Sequence, residues 1–360
     1  MTQTQAPIHW KDHAKLAHAA LDDNAWSYFS GGAAEELTLG RNIAAWNDWS
    51  FLPRVLSPLR GCHTRIELMG KTWPTPFLLA PIAYQRMAHA DGEVGSACAA
   101  AAQASGMVLS SQASQPLEDV ARAMVNEPNR GPLWAQLYWN SDEEKMLAWI
   151  NRVELAGYEA LVLTADAPVH GVRDRERRAN FKLPTGVSAV NLPSAPALAS
   201  TDSDALDNLW AQAPTWQDVE WLQAHTRLPV LLKGVLHPED ARQAQKLGLA
   251  GVIVSNHGGR TLDTAVSSAF ALPRVREAVG PDFTVLVDGG IRRGTDALKA
   301  MALGANAVLI GRPYVYGLAH DGAFGVAHVL RLLRDELVMA MALCGCTRLE
   351  QAGPHLLVKE

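Results

Sequence analysis

No stretch of the 360 residues approaches the roughly 20 consecutive apolar residues of a membrane-spanning helix. The first residues, MTQTQAPIHWKDHAKLA, lack the apolar core of a signal peptide. The last, LLVKE, match no common organelle address. Cysteine is scarce: Cys62, Cys98, Cys344 and Cys346 make neither a zinc spacing nor a disulfide framework. No metal site is expected, and the thiols read as reduced and mostly buried, as in a cytoplasmic protein. There is no long basic run, and 32 Lys and Arg against 37 Asp and Glu leave a formal charge of −5. That argues against nucleic acid as the main partner. No GxGxxG follows any strand-like run, which weakens a nicotinamide-binding reading.

What is present is a regular alternation. With 48% hydrophobic and 19% charged residues, the chain has the material for a large core. From Pro76 onward, short apolar runs alternate with helical segments. The runs are 77–80 (FLLA), 107–110 (MVLS), 133–138 (LWAQLY), 160–166 (ALVLTAD), 230–234 (VLLKG), 251–255 (GVIVS), 284–290 (TVLVDGG) and 307–311 (AVLIG). Eight such units predict an α/β fold, a closed (β/α)8 TIM barrel; an open doubly wound sheet is the alternative. Residues 1–75 read as an N-terminal helical cap, with helical patterns over 10–29 and after Gly32 and a short hairpin around Thr64 to Trp73. The barrel takes 76–360, in one domain. It carries a long insertion in loop 4, 174–215, which reads as a mobile lid over the barrel mouth or as an idle excursion.

Polar groups gather at the carboxyl ends of these runs, where barrel enzymes place their chemistry. They are Ser110, Gln136 with Tyr138, Thr164 with Asp166, Lys233, His257 with Arg260, Asp288 and Arg312. In the stretch 250–263 (AGVIVSNHGGRTLD), Ser255 and Asn256 lead from a buried strand into an imidazole and a fixed cation. That pair suits proton abstraction from an anionic substrate; the plainer reading is a polar loop. The last two units, with Asp288-Gly289-Gly290-Ile291-Arg292-Arg293-Gly294 and Gly311-Arg312, offer glycine N–H groups, arginine forks and a helix N-terminus. Such a phosphate site fits flavin mononucleotide, a sugar phosphate or a nucleotide.

These blocks resemble the FMN-dependent L-2-hydroxy acid oxidase/dehydrogenase family, which includes glycolate oxidase, lactate oxidase and mandelate dehydrogenase. The resemblance runs nearly the whole chain, through YFSGGAAEELTLGRN, APIAYQRMAHADGE, AQLYW, LTADAPVHGVRDRERRANF, LLKGV, SNHGGRTLD and DGGIRRGTDALKAMALGANAVLIGRP. It implies oxidation of an L-2-hydroxy acid to the 2-oxo acid with FMN as cofactor, leaving hydride or proton transfer open. His257 would be the base, Asp166 its partner, and Lys233 would offset charge on the reduced flavin. Arg173, Arg260, Tyr28 and Tyr138 would bind the substrate. Pro81, Ala83, Ser110, Gln136, Thr164, Lys233, Ser255 and Asp288 would contact the flavin, and Gly290, Arg292, Gly311 and Arg312 its phosphate. Tyr84, and Gln112 where plant glycolate oxidases resemble SSWA, depart at positions that lie near the substrate side chain in the family; Ala167 and His170 also differ from the commoner pattern.

Oxygen is the expected electron acceptor, giving hydrogen peroxide, with no membrane partner; a dehydrogenase using a quinone or cytochrome is the alternative. The resemblance implies a homotetramer. Outside the family stand a phosphate-handling isomerase or aldolase, in which Lys233 acts as base or Schiff base, and a flavin-binding protein without turnover.

Overall fold

A computed structural model describes residues 6–192 and 213–359. Each of the eight expected runs forms a strand. They are Phe77–Leu79, Gly106–Ser110, Leu133–Leu137, Leu161–Thr164, Val230–Val235, Gly251–Val254, Thr284–Val287 and Ala307–Ile310. All pair in parallel in sequence order, and Ala307–Ile310 closes on Phe77–Leu79. The barrel is therefore closed and the open sheet is excluded. Nearly every strand residue is buried, because the strands face packed barrel interior on one side and helices on the other.

The outer helices are largely those the pattern predicts: Gly92–Ala102, Leu117–Arg122, Glu143–Leu155, Pro238–Lys246, Ser268–Val279 and Gly294–Ala302. A further helix, Trp216–Ala224, follows the insertion and completes the fourth unit. The last, Arg312–Cys344, kinks at Asp321 and Gly322. Among the described residues no helix is long and apolar enough to cross a membrane. Cys344 and Cys346 are buried, Cys62 is half-buried and Cys98 is exposed; none is bonded to another.

The cap differs from a single helix over 10–29. It holds Trp10–Ala20 and Asp23–Ser30, separated where Asp22 accepts a hydrogen bond from the Ala25 N–H at 2.7 Å and starts a new helix. A third helix, Leu37–Ala44, follows. The expected hairpin forms between Ile66–Leu68 and Lys71–Trp73. Two contacts tie the cap to the far end of the chain. Trp49–Phe51 pairs antiparallel with Leu357–Lys359. His13, fully buried, lies between two residues of the last helix: its Nδ1 is 2.7 Å from His320 Nε2, and its Nε2 is 3.0 Å from His328 Nδ1.

The expected lid falls partly outside the described residues, which omit 193–212. Its first part, 174–192, is well bonded. Asn24 exchanges two hydrogen bonds with the Lys182 backbone, at 2.8 and 3.0 Å. Phe181 stacks on Tyr28 at 5.0 Å between ring centroids. Asn191, also buried, bonds the backbone of Leu117 and Gln115, at 2.9 Å each.

Candidate active site

The strand-end groups converge on the barrel mouth. His257 stands where strand Gly251–Val254 breaks into its loop, and its φ is +57°. Left-handed backbone at a non-glycine residue costs roughly 1–3 kcal/mol and is concentrated at functional sites. The turn is held by Ser255, whose Oγ accepts from the His257 N–H at 3.0 Å. His257 Nδ1 lies 2.9 Å from Asp166 Oδ1. With the proton on Nδ1 facing the carboxylate, Nε2 keeps its lone pair. Burial pulls the imidazole below its usual 6.5, and Asp166 offsets only part of that. The ring is thus neutral at neutral pH, with Nε2 open to a proton. Burial opposes ionisation of Asp166, yet His257 and Lys233 together hold its carboxyl below the usual range.

Asp166 and Lys233 come together through a glycine. Gly234 has φ +104°, and a Cβ there would fall 2.4 Å from the Asp166 Cβ. The strand pairing slips between Lys233 and Val235, as in a β-bulge. Lys233 Nζ donates to Ser255 Oγ at 2.9 Å and lies 3.4 Å from Asp288 Oδ2. Burial opposes its charge, but Asp288 and Asp166 raise its pKa, so it is a fixed cation. Across the mouth, Gln136 Nε2 donates to Thr164 Oγ1 at 3.0 Å, and Gln136 Oε1 accepts from the Ser111 N–H. Ser110 Oγ accepts from the Gln112 N–H. Ala83 is buried and Pro81 half-buried on the loop whose Tyr84 N–H bonds the Gln112 carbonyl at 3.2 Å. Tyr84, too, is left-handed, with φ +56°.

A second cluster forms a clamp. Arg260 donates through one nitrogen to the carbonyls of Tyr28 and Gly31, at 2.6 and 3.0 Å, and its guanidinium lies 4.8 Å from the Tyr28 ring centre. Its other terminal nitrogen donates to Glu176 Oε1 at 2.9 Å. Arg173 donates to that same oxygen at 3.3 Å, while its buried Nε has no partner. Burial pushes the Tyr28 phenol well above its ordinary pKa, and the Tyr138 phenol to about 12, so both are protonated donors. Glu176 lies in the charged run RDRERRANF, where nothing in the spacing singles it out.

The phosphate-type cluster is cationic, with Arg292 buried and Arg312 half-buried. Arg312 donates to the carbonyls of Gly258 and Gly31, and burial pushes its pKa down to about 9. Arg292 donates to the Ile291 carbonyl and lies 5.2 Å from the Trp10 ring centre. Among the described residues neither guanidinium has a carboxylate in ion-pair range, and the Nε of each is buried without a partner. Asp288 Oδ1 is likewise buried and unpartnered. Buried cations lacking counter-charge call for an anion. These residues therefore fit a phosphate on the arginines and a polar group beside Asp288.

Two expectations change in detail. The helix Gly294–Ala302 does not offer a free N-terminus, because Asp296 accepts from the Arg292 and Arg293 N–H groups and Glu336 from that of Gly294. Gly290 is required by packing: a Cβ there would fall 1.8 Å from the Asn42 carbonyl oxygen of the cap. Gly311 has no such neighbour.

The cap also braces the catalytic loop. The buried side-chain amides of Asn42 and Asn256 exchange two hydrogen bonds, at 2.7 and 2.8 Å, and Asn256 Oδ1 accepts from the Gly259 N–H. The Gly259 carbonyl accepts from the Ala33 N–H at 2.7 Å.

Known proteins share this architecture over its full length. The chain is 46% identical over 343 residues to an L-lactate oxidase of Alicycliphilus denitrificans, covering 94% of this chain and 93% of that one. It is 38% identical to human 2-hydroxyacid oxidase 1, covering 97% and 95%. A crystal structure of mandelate oxidase with (S)-2-phenylpropionate superposes with a TM-score of 0.88 at 39% identity, covering 99% of both chains. Residues 17–359 match the family described as FMN-dependent dehydrogenase. Since that span takes in the imidazole, the clamp and both phosphate-type arginines, the chain belongs to the FMN-dependent dehydrogenase family.

Proposed function

We propose that this protein oxidises an L-2-hydroxy acid to the 2-oxo acid and passes the electrons to oxygen. FMN, when bound, supplies the two-electron acceptor. The observation that carries the reading is the convergence of a neutral imidazole backed by a carboxylate with a two-arginine clamp. Arg173 and Arg260 orient the substrate carboxylate, where a fork fixes direction as well as charge. Tyr28 and Tyr138, protonated, donate to the substrate's oxygens. His257 Nε2 takes a proton, and Asp166 stabilises the imidazolium that results. Lys233 places a fixed positive charge where negative charge develops on the cofactor. Ser110, Gln136, Thr164, Ser255 and Asp288, with the backbone of Pro81 and Ala83, hold its polar ring and chain. Arg292 and Arg312, with Gly290 and Gly311, hold its phosphate.

Three finer points belong to the same reading. Oxygen as acceptor is supported by relatives named as oxidases; the family description names a dehydrogenase. The chain acts as one domain, capped by 1–75 and lidded by 174–215, and resides in the cytoplasm, where four unpaired thiols are at home. It assembles as a homotetramer, which would cover the exposed Phe324, Met339 and Leu343 of the last helix.

Purified protein should be yellow, and anaerobic L-lactate or L-mandelate should bleach the flavin band. In air the same reaction should release peroxide. A colourless protein that FMN cannot reconstitute would return the chain to a phosphate-handling barrel. A yellow protein that no hydroxy acid bleaches would leave a flavin-binding protein without turnover. Bleaching without peroxide would make it a dehydrogenase.

A further inference from the structure

We propose that Glu176 sets the charge of the arginine clamp and so restricts the site to substrates carrying one negative charge. The inference rests on the hydroxy acid reading above and adds a residue to it. Arg173 and Arg260 both donate to one oxygen of Glu176, and the three side chains are only 14–17% exposed. Among the described residues Glu176 is the one carboxylate in ion-pair range of either guanidinium. The remaining terminal nitrogen of Arg260 is spent on neutral backbone carbonyls. Two cations and one anion leave a single uncompensated positive charge, which one substrate carboxylate neutralises. A second carboxylate on the substrate would meet the neutral hydroxyls of Tyr28 and Tyr138 but no unpaired cation of the clamp, so its charge would be buried uncompensated.

Glu176 is well placed to act this way. It sits on the five-residue helix Asp174–Arg178, which is too short to hold its own position. The neighbouring Arg175 fixes that helix to the cap by donating to Ser30 Oγ at 3.0 Å and by pairing with Glu36. Glu176 thus faces inward while Arg175 grips the cap. Its Oε1 also draws the two guanidiniums together despite their like charge. The buried, unpartnered Nε of Arg173 remains for an incoming carboxylate. Asp166 and Asp288 pair elsewhere, with His257 and Lys233, and among the described residues neither is in ion-pair range of the two guanidiniums.

The test is calorimetric binding of pyruvate, a monoanion, and oxalate, a dianion, to the holoenzyme and to Glu176→Gln and Glu176→Asp. Glutamine keeps the accepting oxygen and removes the charge. It should tighten oxalate roughly tenfold more than pyruvate, the scale of one partly screened charge nearby. Aspartate keeps the charge and alters only reach. It should weaken both anions while leaving their affinity ratio within about twofold of the native value. A ratio unmoved in Glu176→Gln, or moved alike in Glu176→Asp, would reduce Glu176 to a structural brace. Should the glutamine variant fail to fold, Glu176→Ala, which also removes the charge, carries the same expected shift of the ratio toward oxalate. Native protein that binds neither anion, and that no hydroxy acid bleaches, would sink the parent reading and this inference together. Native protein that binds oxalate at least as tightly as pyruvate would overturn the restriction while leaving the parent reading intact.

Discussion

At the scale of single residues, the imidazole–carboxylate pair makes the sharpest demand. His257 must be neutral to accept a proton, and its burial places its pKa below 6.5. Activity should therefore hold at neutral pH and fall only as pH drops through that lowered value. The acid limb of kcat/KM should lie below pH 6.5. Because Asp166 raises the imidazole pKa, Asp166→Asn should move that limb to still lower pH. It should also cut kcat at least ~100-fold, since the imidazolium loses its partner. An acid limb that stays put or moves upward in a stopped-flow pH series would remove His257 from the base role. His257→Gln should keep the yellow FMN band yet lose reduction by substrate by roughly 1,000-fold. The strand-end residues were readable because position after a buried run announces them. Glu176, Asn42 and Asn256 were not, because their roles depend on partners far away in sequence. Glu176 bonds Arg260, and Asn42 bonds Asn256.

At the scale of elements, the eight strands were legible because each is a short apolar run buried on both faces. Helix Trp216–Ala224 escaped notice because it buries only Val219 and Leu222 and follows a Pro-, Ala- and Ser-rich stretch. The break at Asp22 was missed because apolar periodicity runs on across it, while the cap hydrogen bond interrupts the helix. What sequence could not convey is that helix Leu37–Ala44 buttresses the His257 loop. Asn42→Ala removes two buried hydrogen bonds from the Asn256 amide, which keeps only the Gly259 N–H and the Val266 carbonyl, at about 1–3 kcal/mol. Chemical denaturation should register that loss. Substrate reduction should slow as well, because the turn carrying His257 loses its brace. Native reduction kinetics in a destabilised Asn42→Ala protein would show that the cap serves stability alone.

At the scale of the whole molecule, acid should loosen the union of cap and barrel. His13 is held down to about 4 by burial first and then by His320 and His328, with Asp12 opposing. Asp321 acts on His320 in the opposing sense as well. A histidine depressed in the folded state stabilises fully above its unfolded pKa, near 6.5, and that contribution drains away as pH falls toward about 4. His13→Leu should therefore be less stable than the native protein at pH 7, and the gap should narrow steadily as pH falls to about 4. Paired melting curves across that range check the sign; a gap that widens on acidification would refute it.

The pairing of Trp49–Phe51 with Leu357–Lys359 has a consequence in time as well as in space. A nascent chain makes its cap first, yet this strand of the cap has no partner until nearly the entire barrel has emerged from the ribosome. During synthesis the pairing of Trp49–Phe51 must wait for residues 357–359. Contacts this distant in sequence form late and slow the final step of folding. The seam between cap and barrel is thus among the last contacts to form, completed only when residues 357–359 have been made.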